Sequence, residues 1–292
     1  MNKIDRIKKL VEQLNYHRNL YYNESRSEIS DFEYDQLFDE LTKLEEEAGL
    51  ILATSPTQTV GYEVKSSLNK VTHNHPMLSL DKTKNVDDVI KFLCMKDGLV
   101  MAKMDGLTCS LRYVNGELVG AETRGNGEVG EDILHCAKTI KNIPLHINIK
   151  EEVIIDGEVI ITYDDFEKIN ASLPEGEKYK HPRNLASGSI RQLDSSIAAQ
   201  RNMKFIAWKF VKGYSRNSFG NRLLYLYDLG FEVVPHIGFI GRVAKHDFIE
   251  KIIGLIKLQS EAHGYPIDGC VFGYDDITYG ESLGATGHHL RS

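Results

Sequence analysis

The chain has 292 residues, 41% of them hydrophobic and 26% charged, which excludes a disordered or fibrous protein and leaves room for one large domain or two smaller ones. A formal net charge of −7 argues against coating nucleic acid by bulk electrostatics, so any such contact needs a local basic face. No run approaches the length of a membrane span and the start MNKIDRIKKLVEQLNYHRNL has no apolar signal core, so a cytoplasmic protein without a membrane partner is expected.

The first segment reads as helical. Ile4, Ile7, Leu10, Val11 and Leu14 fall at helical spacing. In SEISDFEYDQLFDELTKLEEE, Ser30 and Glu33 form a capping box, after which Tyr34, Leu37, Phe38, Leu41 and Leu44 make an apolar stripe with Asp31 and Asp35 at its edge. The Ser-, Thr-, Pro- and Gly-rich ATSPTQTVGYEVKSS reads as a linker. The expected boundary falls near residue 68, with domains at 1–68 and 69–292. Beyond it, LTCSLRYVNGELVGAET predicts a hairpin turning at Asn115-Gly116. EEVIIDGEVIITY, KFIAWKFV, FEVVPHIGFI and DGCVFGY read as strands, with helices expected at about 131–141, 164–171, 184–192, 220–229 and 246–260. Antiparallel strands mixed with helices define an α+β class. Cys94, Cys109, Cys136 and Cys270 lie far apart with no C-x-x-C pair, which suggests neither a disulfide framework nor a zinc site.

Lys103 and Asp105 interrupt an otherwise apolar strand, VMAKMDGL, and share one of its faces. A lysine becomes a nucleophile only when desolvation or a nearby cation lowers its pKa, and a shift of about three units amounts to about 4 kcal/mol. The competing reading is a lysine reaching out from an edge strand to pair with Asp105. In TRGNGEVGED, Gly125, Gly127 and Gly130 match G-x-G-x-x-G. The acids at 128, 131 and 132 and the preceding hairpin speak instead for an ordinary glycine loop carrying Arg124. HPRNLASGSIRQLD spaces Arg183, Ser187 and Arg191 four apart, suited either to a phosphate clamp or to a solvated helix face. Glu158 and Asp268, beside glycines in apolar strands, suit Mg²⁺ together with Asp105, or are plain strand-end acids. Trp208 fits a core position better than a base-stacking one, and the histidines show no ligand spacing.

Taken in order, KMDG (103–106), TRGNGEVGED, DGEV (156–159), HPRNLASGSIRQLD and IDGCV resemble the successive nucleotidyltransferase motifs of the bacterial NAD-dependent DNA ligases. LYYNESRSEISDFEYDQLFDELTKLE resembles that family's helical nicotinamide-mononucleotide (NMN)-binding domain, while SPTQTVG and HPMLSLDK resemble its linker and the approach to its catalytic domain. The resemblance spans essentially the whole chain. It implies an NMN-binding domain followed by an adenylation domain of the DNA ligase/mRNA capping type, described as ATP-grasp-like, with antiparallel sheets and flanking helices. It further implies that Lys103 attacks the α-phosphate of NAD⁺, expels NMN and becomes a lysine–AMP adduct that serves nick sealing of duplex DNA in a full-length ligase. Asp105 would orient the lysine or a Mg²⁺ or Mn²⁺ ion, Glu158 would serve ribose and metal, and Asp268 the metal. Arg124, Arg183 and Arg191 would hold phosphate or DNA backbone, and Trp208 would stack on adenine. Tyr21, Tyr22, Asp31, Tyr34 and Asp35 would receive the NMN half, and Ser79 and Leu80 would line the nucleotide entrance.

Several positions depart from the family pattern. Met101 stands where a glutamate contacting adenine is usual, Gly273 where a lysine is usual, Asp156 in place of the arginine of an Arg-Gly-Glu motif, and Asn126 in place of Asp. Tyr22 replaces the histidine of some members, and Ser260 lies near a position where an arginine is expected. The chain ends at GATGHHLRS, ahead of the family's final lysine motif and its oligonucleotide-binding, zinc-finger, helix-hairpin-helix and BRCT segments. Binding of NAD⁺ and self-adenylation are therefore expected, with little nick sealing. A degenerate paralogue that holds NAD⁺ or AMP without chemistry is the alternative; a dehydrogenase built on the glycine loop is a distant third.

Overall fold

A computed structural model of the chain describes residues 3–23, 28–52, 54–57, 67–77, 79–284 and 289–290. Helix α1 (Lys3–Asn23) packs against α2 (Asp31–Ala48) around Ile7, Leu10, Val11, Leu14 and Leu41. Ile4 of the expected stripe is instead exposed. The capping box forms as its sequence requires: Ser30 Oγ accepts from the Glu33 amide at 3.2 Å and the Ser30 amide donates to Glu33 Oε2 at 2.8 Å. Gly49, in the left-handed region, ends the helix. Arg6 donates to both carboxylate oxygens of Glu40, at 2.7 and 2.5 Å, clamping one helix to the other.

The remaining elements run β1 (Lys70–Thr72), β2 (Ser79–Leu80), α3 (Val86–Leu93), β3 (Gly98–Met104), β4 (Leu107–Val114), β5 (Glu117–Thr123), β6 (Val129–Glu131), α4 (Leu134–Ala137), β7 (Val153–Ile160), α5 (Tyr163–Ser172), α6 (Pro182–Ile190), α7 (Ser195–Ala199), β8 (Lys204–Lys212), α8 (Phe219–Asp228), β9 (His236–Phe239), α9 (His246–Ala262), β10 (Ile267–Tyr274), α10 (Ile277–Ser282) and β11 (His289–Leu290). Two antiparallel sheets, ordered β10-β3-β9 and β5-β4-β7-β8, carry the second and larger core. Small ribbons β1-β6, antiparallel, and β2-β11, parallel, flank them. Asn115 and Gly116 both adopt positive φ, so the β4–β5 turn is the Asn-Gly hairpin expected.

Period two divides the four-stranded sheet into a dry face and a polar one. Leu111, Ile155, Val159, Phe205 and Ala207 are fully buried on one side. Thr108 stands opposite Glu158, and Ser110 opposite Asp156, on the other. In the three-stranded sheet β3 is buried on both faces, with Val100 and Ala102 on one and Leu99 and Met101 on the other, where Lys103 ends the row.

Two expected elements come out shorter. The helix expected at 131–141 contracts to α4, because Glu131 pairs in β6 and Asp132 Oδ1 accepts the Leu134 amide to start the turn later. FEVVPHIGFI is not one strand, since Pro235 has no amide to donate and marks a change of partner. Before it the chain bonds to Ala207 of β8, through Glu232 O and the Val234 amide; after it β9 pairs with β3. Residues 232–239 thus join the two sheets. No helix among the described residues is long and apolar enough to cross a membrane.

Glu232 lies at this junction. Burial alone would raise its pKa, but donation from Tyr265, Lys204 and Asn142 outweighs that and holds the carboxyl below its ordinary range. A depressed carboxyl gives stability that is present above the unfolded-state value and is lost as pH falls through the folded one. Glu232→Gln should therefore cost about 1–3 kcal/mol at neutral pH and flatten the loss of stability below about pH 4, measured by urea melts across pH.

Candidate active site

The site forms where the ends of β3 and β10 meet the polar face of the four-stranded sheet. β3 is the central strand of its sheet, and Lys103 lies just past the end of its pairing with β9, matched on β10 alone. Its register partner on β10 is Gly269, and the ladder slips between Ile267 and Gly269, leaving Asp268 as an extra, bulged residue. Gly269, at φ +148, accommodates the bulge. Asp268 is thereby turned onto Lys103, whose Nζ donates to its carboxylate.

Asp105 follows the end of β3, where its amide donates to Pro266 O at 2.9 Å. Its side chain is buried and accepts from Arg183 Nη1 at 3.2 Å, with His181 Nδ1 at 3.7 Å from the other oxygen. Both partners come from the start of α6, which His181 caps with Pro182 in the first turn. Burial lowers the Arg183 guanidinium to about 10, opposed by the charge of Asp268. Glu158 is buried on β7. Burial raises its carboxyl to about 8 and Asp105 adds to the rise, against a hydrogen bond to Thr108 and the charges of Lys103 and Arg124. Six charged groups, Lys103, Asp105, Glu158, Asp268, Arg183 and Arg124, thus act on one volume.

Arg124 leaves β5 with its amide on Thr108 O and its Nε on Met77 O, at 3.1 and 2.9 Å. The loop after it is no dinucleotide turn. A Cβ on Gly125 would lie 1.9 Å from Val129 O and one on Gly130 1.8 Å from Thr123 O, so these glycines answer to their own backbone. Asn126 Oδ1 accepts the amides of Glu128 and Val129, and the chain turns into β6 instead of a helix.

Arg191 lies apart from Arg183. It ends α6 and pairs with Glu131 Oε2 at 2.8 Å, while its Nη1 donates to Ser187. Trp208 is half-buried and occupies the bulge of β8, unmatched in the register between Ala207 and Lys209. In the helical pair, Tyr34 stacks with Phe38, and both Asp35 oxygens accept from Lys82, at 2.8 and 3.0 Å. Leu80 is exposed on β2. The side chains of Tyr21, Tyr22, Asp31 and Ser79 lie outside the described residues.

Sequence reasoning missed several contributors. His73 bonds Glu122 at 3.0 Å and Arg124 O at 2.8 Å, fixing the backbone that carries Arg124. His75 Nε2 meets the buried Asp156 at 2.8 Å. The one local signal was the repeated histidine in THNHP, whose partners sit some 50 and 80 residues away.

Comparison with known proteins identifies the family. The NAD-dependent DNA ligase adenylation domain matches residues 65–291, and the DNA ligase-like, N-terminal NAD⁺-binding domain matches residues 1–61. Among curated relatives, a DNA ligase of Lachnoclostridium phytofermentans is 46% identical over 99% of this chain and 44% of its own length. Those of Ruminiclostridium cellulolyticum and Clostridioides difficile are 42% and 38% identical over 99% and 100% of this chain. The chain belongs to the NAD-dependent DNA ligase family and spans less than half the length of these relatives.

Glu131 is 1% exposed, so removing its partner leaves a buried carboxylate without its counter-charge. Arg191→Ala should destabilise the ligand-free protein by about 3–5 kcal/mol, measured by chemical denaturation. A residue serving only phosphate would leave that value unchanged.

Proposed function

We propose that the chain carries out the adenylation step of a DNA ligase. Residues 1–68 would receive the NMN half of NAD⁺, and residues 69–292 would capture the adenylate. The observation that carries this reading is the hydrogen bond between Lys103 and Asp268 inside a ring of charges that includes Asp105, Glu158 and Arg183. Lys103 Nζ attacks the α-phosphorus, the new N–P bond forms as the P–O bond to NMN breaks, and NMN leaves with that oxygen. Asp268 is the carboxylate in contact with the ammonium and takes its proton. Arg183 and Arg124 are the cations nearest the developing negative charge, and the rigid strand positions the amine for in-line attack.

Burial and the charge of Asp105 disfavour ionisation of Glu158, a penalty that a divalent cation would relieve. Asp105, Glu158 and Asp268 are the residues that would hold Mg²⁺ or Mn²⁺, which would neutralise phosphoryl charge when bound. Trp208 stacks on the adenine, and Tyr21, Tyr22, Asp31, Tyr34, Asp35, Ser79 and Leu80 serve the rest of the dinucleotide. In the longer protein the adenylate passes on to nicked duplex DNA, with Arg191 nearest its backbone, in the cytoplasm.

The test is intact mass. Incubation with NAD⁺ and Mg²⁺ should add one adenylate to the protein and release NMN, and Lys103→Ala should gain nothing. A parent chain that stays unmodified, both alone and extended to the length of its relatives, would sink the proposal.

A further inference from the structure

The face of the three-stranded sheet that carries Lys103 is open above its glycines, although Leu99 and Met101 on it are buried. Register places Lys103, Met101 and Leu99 of β3 on it, with Gly269, Val271 and Gly273 of β10 and His236 and Gly238 of β9. A Cβ built on Gly238, Gly269 or Gly273 would meet no atom within 4 Å, so the space above all three is open. The opposite face is packed: a Cβ on Gly98 would lie 2.7 Å from the Phe239 ring. Leu99 and Gly220 close the far end, and with His236, Gly238, Asp97 and Asp275 they line a cavity of about 320 Å³. The result is a glycine-lined trough with a lysine at one end and two aspartates at the other.

Besides Lys103, His236 is the one polar side chain that register puts on this face among the described residues. It stands directly opposite Met101 and is half-buried. Its Nδ1 lies 2.9 Å from Val234 O. A carbonyl only accepts, so Nδ1 carries the proton and Nε2 of the neutral ring is left as an acceptor.

We propose that His236 is the residue that selects the purine of the dinucleotide, its Nε2 accepting a hydrogen bond from the exocyclic amine of adenine. This rests on the adenylation reading above, which puts the α-phosphate at Lys103. One nucleoside further along the trough the base lies over Met101 and Val271, which offer no hydrogen bond, and its edge meets His236. A base with a carbonyl in place of that amine sets two acceptors face to face, and a site built around one such hydrogen bond rejects the mismatch.

The experiment compares NAD⁺ with its deaminated analogue, nicotinamide hypoxanthine dinucleotide, on the parent, His236→Ala and His236→Gln. Direct binding by titration calorimetry is the primary readout, with mass gain followed in parallel and thermal melts confirming that all three fold. The parent should bind NAD⁺ about tenfold more tightly than the analogue. His236→Ala should lose that preference by weakening NAD⁺ and not the analogue, and His236→Gln, which restores an acceptor, should recover part of it. An unchanged preference in His236→Ala overturns the assignment. A parent that binds no NAD⁺ overturns it together with the adenylation reading. Binding without a lysine adduct defeats that chemistry alone and leaves the preference measurable.

Discussion

Everything at the site depends on holding an ammonium group on the central strand of a sheet. Lysine is among the residues least often fully buried, and Lys103 keeps its side chain 39% exposed while it is held against a carboxylate. The solution lies in the neighbouring strand, where a bulge and a glycine of positive φ turn Asp268 onto the amine. That pair then constrains the rest. Asp268 holds Lys103, Arg183 arrives on α6 to hold Asp105, and Glu158 on the second sheet feels the charges of both Lys103 and Asp105. A site assembled from separate strands and a helix in this way is pre-organised before any ligand arrives, which is what phosphoryl chemistry chiefly requires of a protein.

Features whose cause is local were legible in the sequence. The capping box at Ser30 and Glu33, the Asn115-Gly116 hairpin and the helical stripe of α2 each depend on a handful of adjacent residues. The order of the motifs marked Lys103, Asp105, Glu158 and Asp268 as one group, and the structure brings them together. What was not legible depends on register and long-range pairing. An apolar run does not say whether its strand is central or at an edge, and nothing near Arg191 announces Glu131, sixty residues earlier. The placement of His236 opposite Met101 is likewise a fact of the β3–β9 ladder, invisible along the chain.

The departures from the family pattern also gain physical content. Asp156, where an arginine is usual, lies buried against His75 and not against a phosphate-side cation. Asn126 supplies the two amide contacts that hold its own turn. Gly273, in place of a lysine, leaves open space above the sheet. These are changes on the walls of the site, while Lys103, Asp105, Glu158 and Asp268 at its centre keep the pattern.

The segment that changes partner at Pro235 has a mechanical consequence. Within four residues it is bonded to Ala207 of one sheet and, through Pro235 O, to the Ala102 amide of the other. The two walls of the cleft are therefore riveted at their back by main-chain bonds that no side-chain substitution removes. Close-packed interiors transmit displacement instead of absorbing it, so the cleft resembles a jaw with a fused hinge. A shift of one sheet carries the other with it, and the spacing between Lys103 and Glu158 is set by the backbone itself.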